Sequence, residues 1–168
     1  MERLSKDDYF VSMASLVSRR STCQRRAVGC VLVSPLGHVL ATGYNGVPRG
    51  SAHCIDHPCA GAHLPSGTGL DKCEAIHAEQ NALLQCKDVM QIEIAYVTTM
   101  PCMTCTKLLL NTSCKTIIYS EPYPHSEAAE LWRKNGRHII QAPKQFPELA
   151  GRQANRYRLR DERCEFND

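Results

Sequence analysis

The sequence lacks any apolar run long enough to cross a membrane, and it lacks a dominant charge of either sign. Its longer apolar stretches, such as 28–33, fall far short of the roughly 18 residues that a spanning helix needs. No basic segment followed by an apolar one opens the chain, so we expect neither a secretory signal nor a membrane partner. A net charge of +3 does not predict a nucleic-acid partner and suits a small anionic ligand.

Internal repeats and low-complexity segments are also missing. A chain of 168 residues can bury one good core but is too short for two ordinary domains. We therefore expect a single domain over residues 1–168, with its core at about 5–142. Residues 143–168 form a polar C-terminal extension in which the hydrophobic pattern weakens.

Cysteine, in contrast, is abundant. Ten cysteines without a secretory signal indicate metal ligands and free thiols rather than a disulfide framework. The expected location is therefore a reducing cytoplasm.

Hydrophobic periodicity and turn residues predict alternating helices and strands. An amphipathic helix with a capping box formed by Ser5 and Asp8 opens the chain, and a Pro-Leu-Gly turn joins the first two strands. Pro101 suits the first position of a later helix that ends near Thr112. The predicted helices are 1–20, 75–86, 101–112 and 126–136, and the predicted strands are 27–34, 38–44, 92–99, 115–120 and 137–141. This order predicts a five-stranded mixed sheet in a three-layer α/β/α sandwich.

A histidine and a C-x-x-C pair lie about 25 residues apart and provide three soft metal ligands. His77 belongs to H-A-E at 77–79, and Cys102 and Cys105 belong to P-C-M-T-C at 101–105. Three ligands leave the fourth position of a tetrahedral zinc site to water, as in catalytic sites. Glu79 is close enough in sequence to move the protons of that water, and the combined pattern is the signature of zinc deaminases.

Two conditions apply to this interpretation. Residues at i and i+2 do not share a helix face, so His77 and Glu79 reach one metal only if the helix end points at it. The alternative is a structural zinc site with a fourth ligand from Cys86 or Cys114, which would leave Glu79 without a function.

A long loop and a basic segment carry further candidate ligands. Loops as long as 50–73 are uncommon unless they are functional or clamped, and this one is rich in Gly, Pro, His and Cys. A second metal can clamp it through residues chosen from Cys54, Cys59, Cys73, His53, His57 and His63. The basic segment 19–26 is either solvated surface or supplies an arginine to an anionic group.

The chain resembles the cytidine/deoxycytidylate deaminase superfamily, and most closely its deoxycytidylate deaminases of phage and bacterial type. The resemblance spans about 5–142 and rests on S-T-C-Q-R-R-A-V-G-C at 21–30, G-Y-N-G-V-P-R-G at 43–50, H-A-E-Q-N-A-L-L at 77–84, P-C-M-T-C-T-K-L-L-L at 101–110 and I-I-Y-S-E-P-Y at 117–123. It implies zinc-dependent hydrolytic deamination of dCMP to dUMP, a precursor for thymidylate synthesis. Zinc is expected on His77, Cys102 and Cys105, with Glu79 as the proton shuttle.

The resemblance also implies residues that bind the nucleotide. Asn45 is expected to contact sugar and base, the backbone of Ala78 to contact the pyrimidine, and Tyr123 to line the pocket. Arg26 is the candidate for the 5′-phosphate, because a guanidinium matches phosphate geometry, and Arg25 competes with it.

Finally, the resemblance implies a structural zinc, an assembly and effectors. The second zinc is expected on Cys23, Cys54, Cys59 and Cys73, with His57 and His63 as rival ligands. The assembly is expected to be a homohexamer, activated by dCTP and inhibited by dTTP. The alternatives are a tRNA adenosine deaminase, another nucleoside or nucleotide deaminase, and a non-catalytic zinc-binding protein, against which Glu79 argues.

Overall fold

The computed structural model describes residues 3–65, 67–124 and 126–142. The predicted extension at 143–168 therefore lies outside the described residues. The helices are α1 (Lys6–Ser18), α2 (Ala78–Gln85), α3 (Met103–Leu110) and α4 (Glu127–Lys134), and the strands are β1 (Gly29–Val33), β2 (Val39–Tyr44), β3 (Ile94–Thr99), β4 (Thr116–Glu121) and β5 (His138–Gln141). No helix among the described residues is long and apolar enough to span a bilayer.

The strands form one mixed sheet in the order β2-β1-β3-β4-β5. β1 is antiparallel to both β2 and β3, whereas β3, β4 and β5 run parallel to one another. Parallel strands need a crossover connection, and α3 and α4 supply the two crossovers. The predicted five-stranded mixed sheet is confirmed.

Helix α1 covers one face of the sheet. Side chains alternate along a strand, and Val31, Val33 and Tyr96 all face α1, where Phe10 and Val11 pack against them. The Tyr96 hydroxyl donates to the carboxylate of Asp7 at 2.8 Å. This contact fixes the first helix to a central strand.

The opposite face carries α2, α3 and α4 around the larger core cluster, so the predicted three layers are confirmed. Its buried side chains come from the first four strands, from all three helices and from their connections: Cys30, Leu32, Ala41, Ala78, Ala82, Ile92, Ala95, Val97, Leu109, Cys114, Ile117 and Trp132. Helix α2 is fixed to the edge strand β2 by two amide side chains. Asn81 donates to the carbonyl of Tyr44 at 2.8 Å, and Gln85 donates to that of Thr42 at 3.0 Å.

Most predicted boundaries move by a few residues. The Ser5 hydroxyl caps α1 as expected, accepting from the Asp8 N–H at 3.1 Å. The reciprocal half of the predicted box is replaced by a hydrogen bond from the Ser5 hydroxyl to the Asp8 carboxylate. The placement of Pro101 at the first helical position is wrong, because Cys102 is the N-cap and α3 begins at Met103.

Candidate active site

The ligand atoms of His77, Cys102 and Cys105 converge at one point where helices α2 and α3 begin. All three lie within 4.8 Å of one another, and no other His, Cys, Asp or Glu group in the described part of the chain does the same. The Nδ1 atom of His77 is 3.4 Å from the Cys102 sulfur and 3.5 Å from the Cys105 sulfur. Neither Cys86 nor Cys114 belongs to this cluster.

Two helix starts bring these side chains together. His77 is the N-cap of α2, and Cys102 is the N-cap of α3, with Cys105 in the first turn. The helix end therefore points at the cluster, which is the condition under which His77 and Glu79 can serve one metal. The positive end of a helix dipole also favours the thiolates that metal binding requires.

The two thiols of the cluster differ in acidity. A hydrogen bond from the Cys105 thiol lowers the pKa of Cys102 to about 4, and His77 contributes in the same direction. That hydrogen bond and burial raise the pKa of Cys105 well above its usual range. The lowered pKa favours the thiolate form of Cys102, beside a second thiol that a metal ion can deprotonate.

The spacing of the three ligand atoms fits zinc. Tetrahedral coordination with Zn–N near 2.0–2.1 Å and Zn–S near 2.3 Å places nitrogen and sulfur about 3.5 Å apart. The two observed nitrogen–sulfur distances, 3.4 and 3.5 Å, match that value. Since only three protein ligands converge here in the described residues, the set has the composition of an open, catalytic site.

Glu79 is the buried carboxyl beside this cluster. It is only 3% exposed and occupies the second position of α2. Burial raises the pKa of Glu79 to about 7, against opposing effects of its own backbone N–H and of His77. A carboxyl that titrates near neutrality can both accept and donate a proton during one reaction cycle.

One cleft opens onto the cluster and gathers the residues that were predicted to bind a nucleotide. It has a volume of about 570 Å³, including its solvent-open mouth. Its lining includes the predicted residues Arg26, Asn45, His77, Ala78, Glu79, Cys102 and Tyr123. The structure therefore brings the predicted metal, proton-transfer and nucleotide-binding residues into one site.

Asn45 holds the wall of this cleft together. Its side-chain oxygen accepts from the Val28 N–H at 2.7 Å, and its amide nitrogen donates to the Arg26 carbonyl. The side chain is buried and fixes the segment that carries the two arginines. Whether it also contacts sugar and base, as the resemblance implies, stays a prediction.

Tyr123 and Ala78 lie at the cleft as well. Burial raises the pKa of Tyr123, against the effect of the Arg25 and Arg26 charges, so its hydroxyl is neutral and can donate a hydrogen bond. Ala78 is the first residue of α2, and the first N–H groups of a helix have no acceptor within it.

The second group of cysteines lies next to the cleft. The sulfurs of Cys54 and Cys59 are 3.7 Å apart, and Cys73 packs against both. Cys23 and Cys73 also line the cleft, and the proximity of Cys23 contributes to the raised pKa of Cys73, for which burial is the main cause. The described cysteines are all free of disulfide bonds.

Some cleft residues were missed by sequence reasoning. Thr99 and Leu70 line the cleft but were not singled out in the sequence. Thr99 ends β3 directly before the second metal motif, so its position at a strand end was an available signal. Leu70 lies in the long loop, where no periodicity distinguishes one apolar residue from another.

Comparison with known proteins is consistent with this geometry. Residues 4–121 match the family described as the cytidine and deoxycytidylate deaminase zinc-binding region. The chain is 43% identical over 144 residues to the deoxycytidylate deaminase of Schizosaccharomyces pombe, covering 83% of this chain and 44% of that protein. It is 38% identical over 127 residues to the deoxycytidylate deaminase of Mycobacterium phage D29, and this match covers 71% of this chain and 97% of the phage protein. The chain thus spans less than half of the two yeast relatives that it matches.

Comparison of the fold with solved structures also finds a deaminase of this kind. The dCMP deaminase of cyanophage S-TIM5, solved in complex with dCMP and dUMP, superposes with a TM-score of 0.65 at 24% identity. The match covers 84% of this chain and all of the phage protein. The match over residues 4–121 identifies the same zinc-binding family as the cluster of His77, Cys102 and Cys105 and the fold do. The chain belongs to the cytidine and deoxycytidylate deaminase family.

Proposed function

We propose that this protein is an enzyme that hydrolyses dCMP to dUMP and ammonia. The observation that carries the proposal is the buried Glu79 carboxyl beside the His77, Cys102 and Cys105 cluster, on a cleft that arginines also line. Support comes from relatives named deoxycytidylate deaminase, above all the phage D29 protein, of which this chain covers 97%.

The reaction exchanges an amine for oxygen at C4 of the pyrimidine. A carbon–oxygen bond forms between C4 and water, and the bond from C4 to the exocyclic nitrogen breaks. His77, Cys102 and Cys105 would hold a zinc ion, which would supply the nucleophile by lowering the pKa of a water ligand from 15.7 to about 7.

Glu79 moves the protons. Its carboxylate accepts one proton from the attacking water and delivers it to the ring nitrogen. It then accepts the second proton from the new C4 hydroxyl and delivers it to the leaving amine, which departs as ammonia as the C4 carbonyl forms. The pKa of about 7 suits both halves of this cycle at neutral pH. No second acid is needed, because one carboxyl is regenerated in each turnover.

The remaining site residues bind the nucleotide in this proposal. Asn45 contacts the sugar and base from the buried wall, the Ala78 N–H at the start of α2 donates to the pyrimidine, and Tyr123 closes the pocket. All three line the cleft that contains Glu79, which supports these roles.

A second, structural zinc site formed by Cys23, Cys54, Cys59 and Cys73 is part of the proposal. Tetrahedral Zn–S bonds of 2.3 Å place two sulfurs about 3.8 Å apart, and the Cys54 and Cys59 sulfurs are 3.7 Å apart. The rival ligands are less suitable, because His57 and His63 are exposed whereas Cys23, Cys54 and Cys59 are buried. Closing the site requires the other two thiols to move closer, since no three of these sulfurs lie within 4.8 Å of one another.

We further propose that the protein assembles as a homohexamer in the cytoplasm and responds to dCTP and dTTP. A second cleft of about 890 Å³, lined by Tyr44, Gly46, Val47 and Arg49 of the G-Y-N-G-V-P-R-G segment, offers room for an effector. The free thiols agree with a reducing compartment. Steady-state kinetics with dCMP and either triphosphate, together with mass measurement in solution, test this part.

The central test is ammonia release from dCMP, deoxycytidine and a tRNA anticodon stem-loop, offered in parallel to the zinc-loaded protein. We expect turnover of dCMP, much weaker turnover of deoxycytidine and none of the RNA. Turnover of the RNA in preference to dCMP contradicts the proposal and favours the tRNA adenosine deaminase alternative.

A further inference from the structure

Thr99 is the last residue of β3, and it lines the active-site cleft. Side chains alternate between the two faces of a strand. Val97, two residues earlier, lies in the core cluster that Ala78 of α2 also joins. The Thr99 side chain therefore lies on the same face of the sheet as α2, the helix that carries Glu79.

Thr98, the preceding residue, lies on the other face. Tyr96 packs in the cluster that contains the α1 side chains, and alternation places Thr98 on the same side as Tyr96. The Thr98 hydroxyl accepts from the Gly29 N–H at 3.1 Å. Of these two consecutive threonines, one supports the sheet while the other faces the cleft.

The chemistry of the proposed reaction determines how the pyrimidine lies in this cleft. C4 has to lie at the cluster formed by His77 and the two cysteines, and N3 has to lie toward Glu79, from which it receives a proton. The ring neighbours of C4 are N3 and C5, so C5 lies on the side of C4 away from Glu79. The cleft lining that adjoins the cluster but does not belong to α2 comes from the end of β3 and the start of α3, at Thr99 and Met100.

Met100 and Thr99 differ in how well they can discriminate by size. Methionine is unbranched and adapts to its neighbours, whereas threonine is branched at Cβ and has few rotamers. The backbone at Thr99 is also fixed, because Thr99 is in register with Glu121 of β4 and the Met100 N–H donates to the Glu121 carbonyl at 2.8 Å. A stiff side chain on a fixed backbone cannot move aside for a larger ligand.

We propose that the Thr99 side chain contacts the C5 edge of the pyrimidine and limits the size of the group that C5 can carry. This inference rests on the proposed function. Thr99 is only 5% exposed, so its γ-methyl group has little free space into which it could retreat. Inserting a methyl group into closely packed surroundings is unfavourable. A hydrogen at C5 is therefore accepted, and a methyl group at C5 meets the side chain of Thr99.

The test compares kcat/KM for dCMP and for 5-methyl-dCMP in the wild type, Thr99→Ser and Thr99→Val. We expect the wild type to prefer dCMP by about 10- to 200-fold, the range for one methylene in an apolar pocket. Thr99→Ser removes the γ-methyl group and should lower this preference by about 10-fold or more. Thr99→Val keeps the branched shape, so its preference should stay within about threefold of the wild-type value.

Thr98→Ser is the matched control, because it makes the same change one residue away on the opposite face and keeps a hydroxyl for the Gly29 N–H. Its preference should equal that of the wild type. A wild type that turns over both nucleotides equally well, or a Thr99→Ser variant with the full wild-type preference, overturns the inference. An equal loss of preference in Thr98→Ser or in Thr99→Val also overturns it, because the size of the Thr99 side chain would then not be the cause.

Binding of dUMP and dTMP, whose bases differ only in the C5 methyl group, separates this inference from the proposed function. Absence of dCMP turnover by the zinc-loaded wild type contradicts the proposed function. The calorimetric affinities still test the size limit in that case, since Thr99→Ser should bind dTMP more tightly relative to dUMP than the wild type does. Equal ratios of the two affinities in the wild type and Thr99→Ser overturn the inference.

Discussion

Single residues at the site behave differently from the same residue types elsewhere in the core. Cys105 and Cys114 are both fully buried, yet only Cys105 meets a histidine nitrogen and a second thiol. The Cys114 thiol instead donates to the carbonyl of Thr116 at 3.3 Å, and burial is the main cause that raises its pKa to about 12. Chemistry at this scale depends on neighbours rather than on burial.

Replacing each of these cysteines by serine tests this distinction. Cys105→Ser removes a proposed metal ligand, so we expect zinc affinity to fall by more than the roughly 10- to 100-fold typical of losing an outer-shell partner. Cys114→Ser retains a hydroxyl donor for Thr116 and should keep its zinc. The zinc content of both variants is measured after dialysis against a weak chelator. Equal zinc loss from the two variants would contradict the assignment of Cys105, and not Cys114, to the zinc site.

At the scale of secondary-structure elements, the position of helix α2 determines where His77 and Glu79 lie, because both residues are at its N-terminal end. A Cβ atom on Gly43 would lie 2.2 Å from the carbonyl oxygen of Ala78 and 2.3 Å from the nitrogen of Ala82. Only glycine permits this approach of β2 to α2. On the other side of the sheet, a Cβ on Gly29 would lie 2.1 Å from the Ala14 carbonyl of α1.

Gly43→Ala and Gly29→Ala are therefore matched variants on opposite faces. Both should destabilise the protein by about 1–3 kcal/mol, as overpacking does. Only Gly43→Ala displaces α2, the helix whose N-cap is His77, and a shift of about 1 Å can cost about 100-fold in activity. Urea unfolding and dCMP kinetics on both variants provide the measurement, and unimpaired kinetics in folded Gly43→Ala would contradict this account of α2.

Helix α3 begins at the two cysteines of the cluster, and Arg137 binds to its other end. The guanidinium donates to the carbonyls of Leu109, Leu110, Thr112 and Cys114 at 2.7–3.2 Å. It also lies over the Trp132 ring at 5.0 Å from the centroid. One side chain thus satisfies carbonyls that the end of a helix leaves without partners.

Arg137→Lys should lower the free energy of unfolding by about 1–3 kcal/mol, because an ammonium with three donors cannot reproduce the planar fork. Arg133→Lys on the exposed face of α4 is the control and should change little. Trp132 is the single tryptophan of the chain, so its fluorescence reports unfolding directly. A stability of Arg137→Lys equal to that of the control would be incompatible with this role.

These elements show what the sequence can predict. Local patterns predicted the sheet, the helices and the residues of the His77, Cys102 and Cys105 cluster, because H-A-E and P-C-M-T-C place their side chains within one helical turn of a helix start. The four carbonyls at Arg137 and the close approach at Gly43 depend on tertiary packing. The ion pair of Arg26 depends on Glu121, which lies 95 residues away in the sequence. No local pattern contains that information.

The molecule as a whole is expected to hold two zinc ions, one structural and one catalytic. In the proposed arrangement the four-cysteine group clamps the long loop against the cleft, while the His77 cluster performs chemistry. Structural zinc contributes directly to folding free energy, and catalytic zinc contributes to turnover.

Cys54→Ser tests this division. We expect one zinc per chain instead of two and a Tm lower by at least about 5 °C, while zinc at the catalytic cluster remains. Cys86→Ser, at a half-buried cysteine outside both groups, is the control. Metal analysis and thermal unfolding on the same samples provide the measurement. An unchanged zinc content in Cys54→Ser would contradict the proposed structural zinc site.

The measurement that tests the central claim most directly is the dCMP deamination rate of Glu79→Gln, with zinc quantified in the same sample. Glutamine nearly preserves size but cannot carry protons, so we expect the rate to fall by about 10²- to 10⁴-fold. Zinc content should equal that of the wild type. A variant that keeps both its zinc and its wild-type rate would contradict the assignment of Glu79 as the proton shuttle.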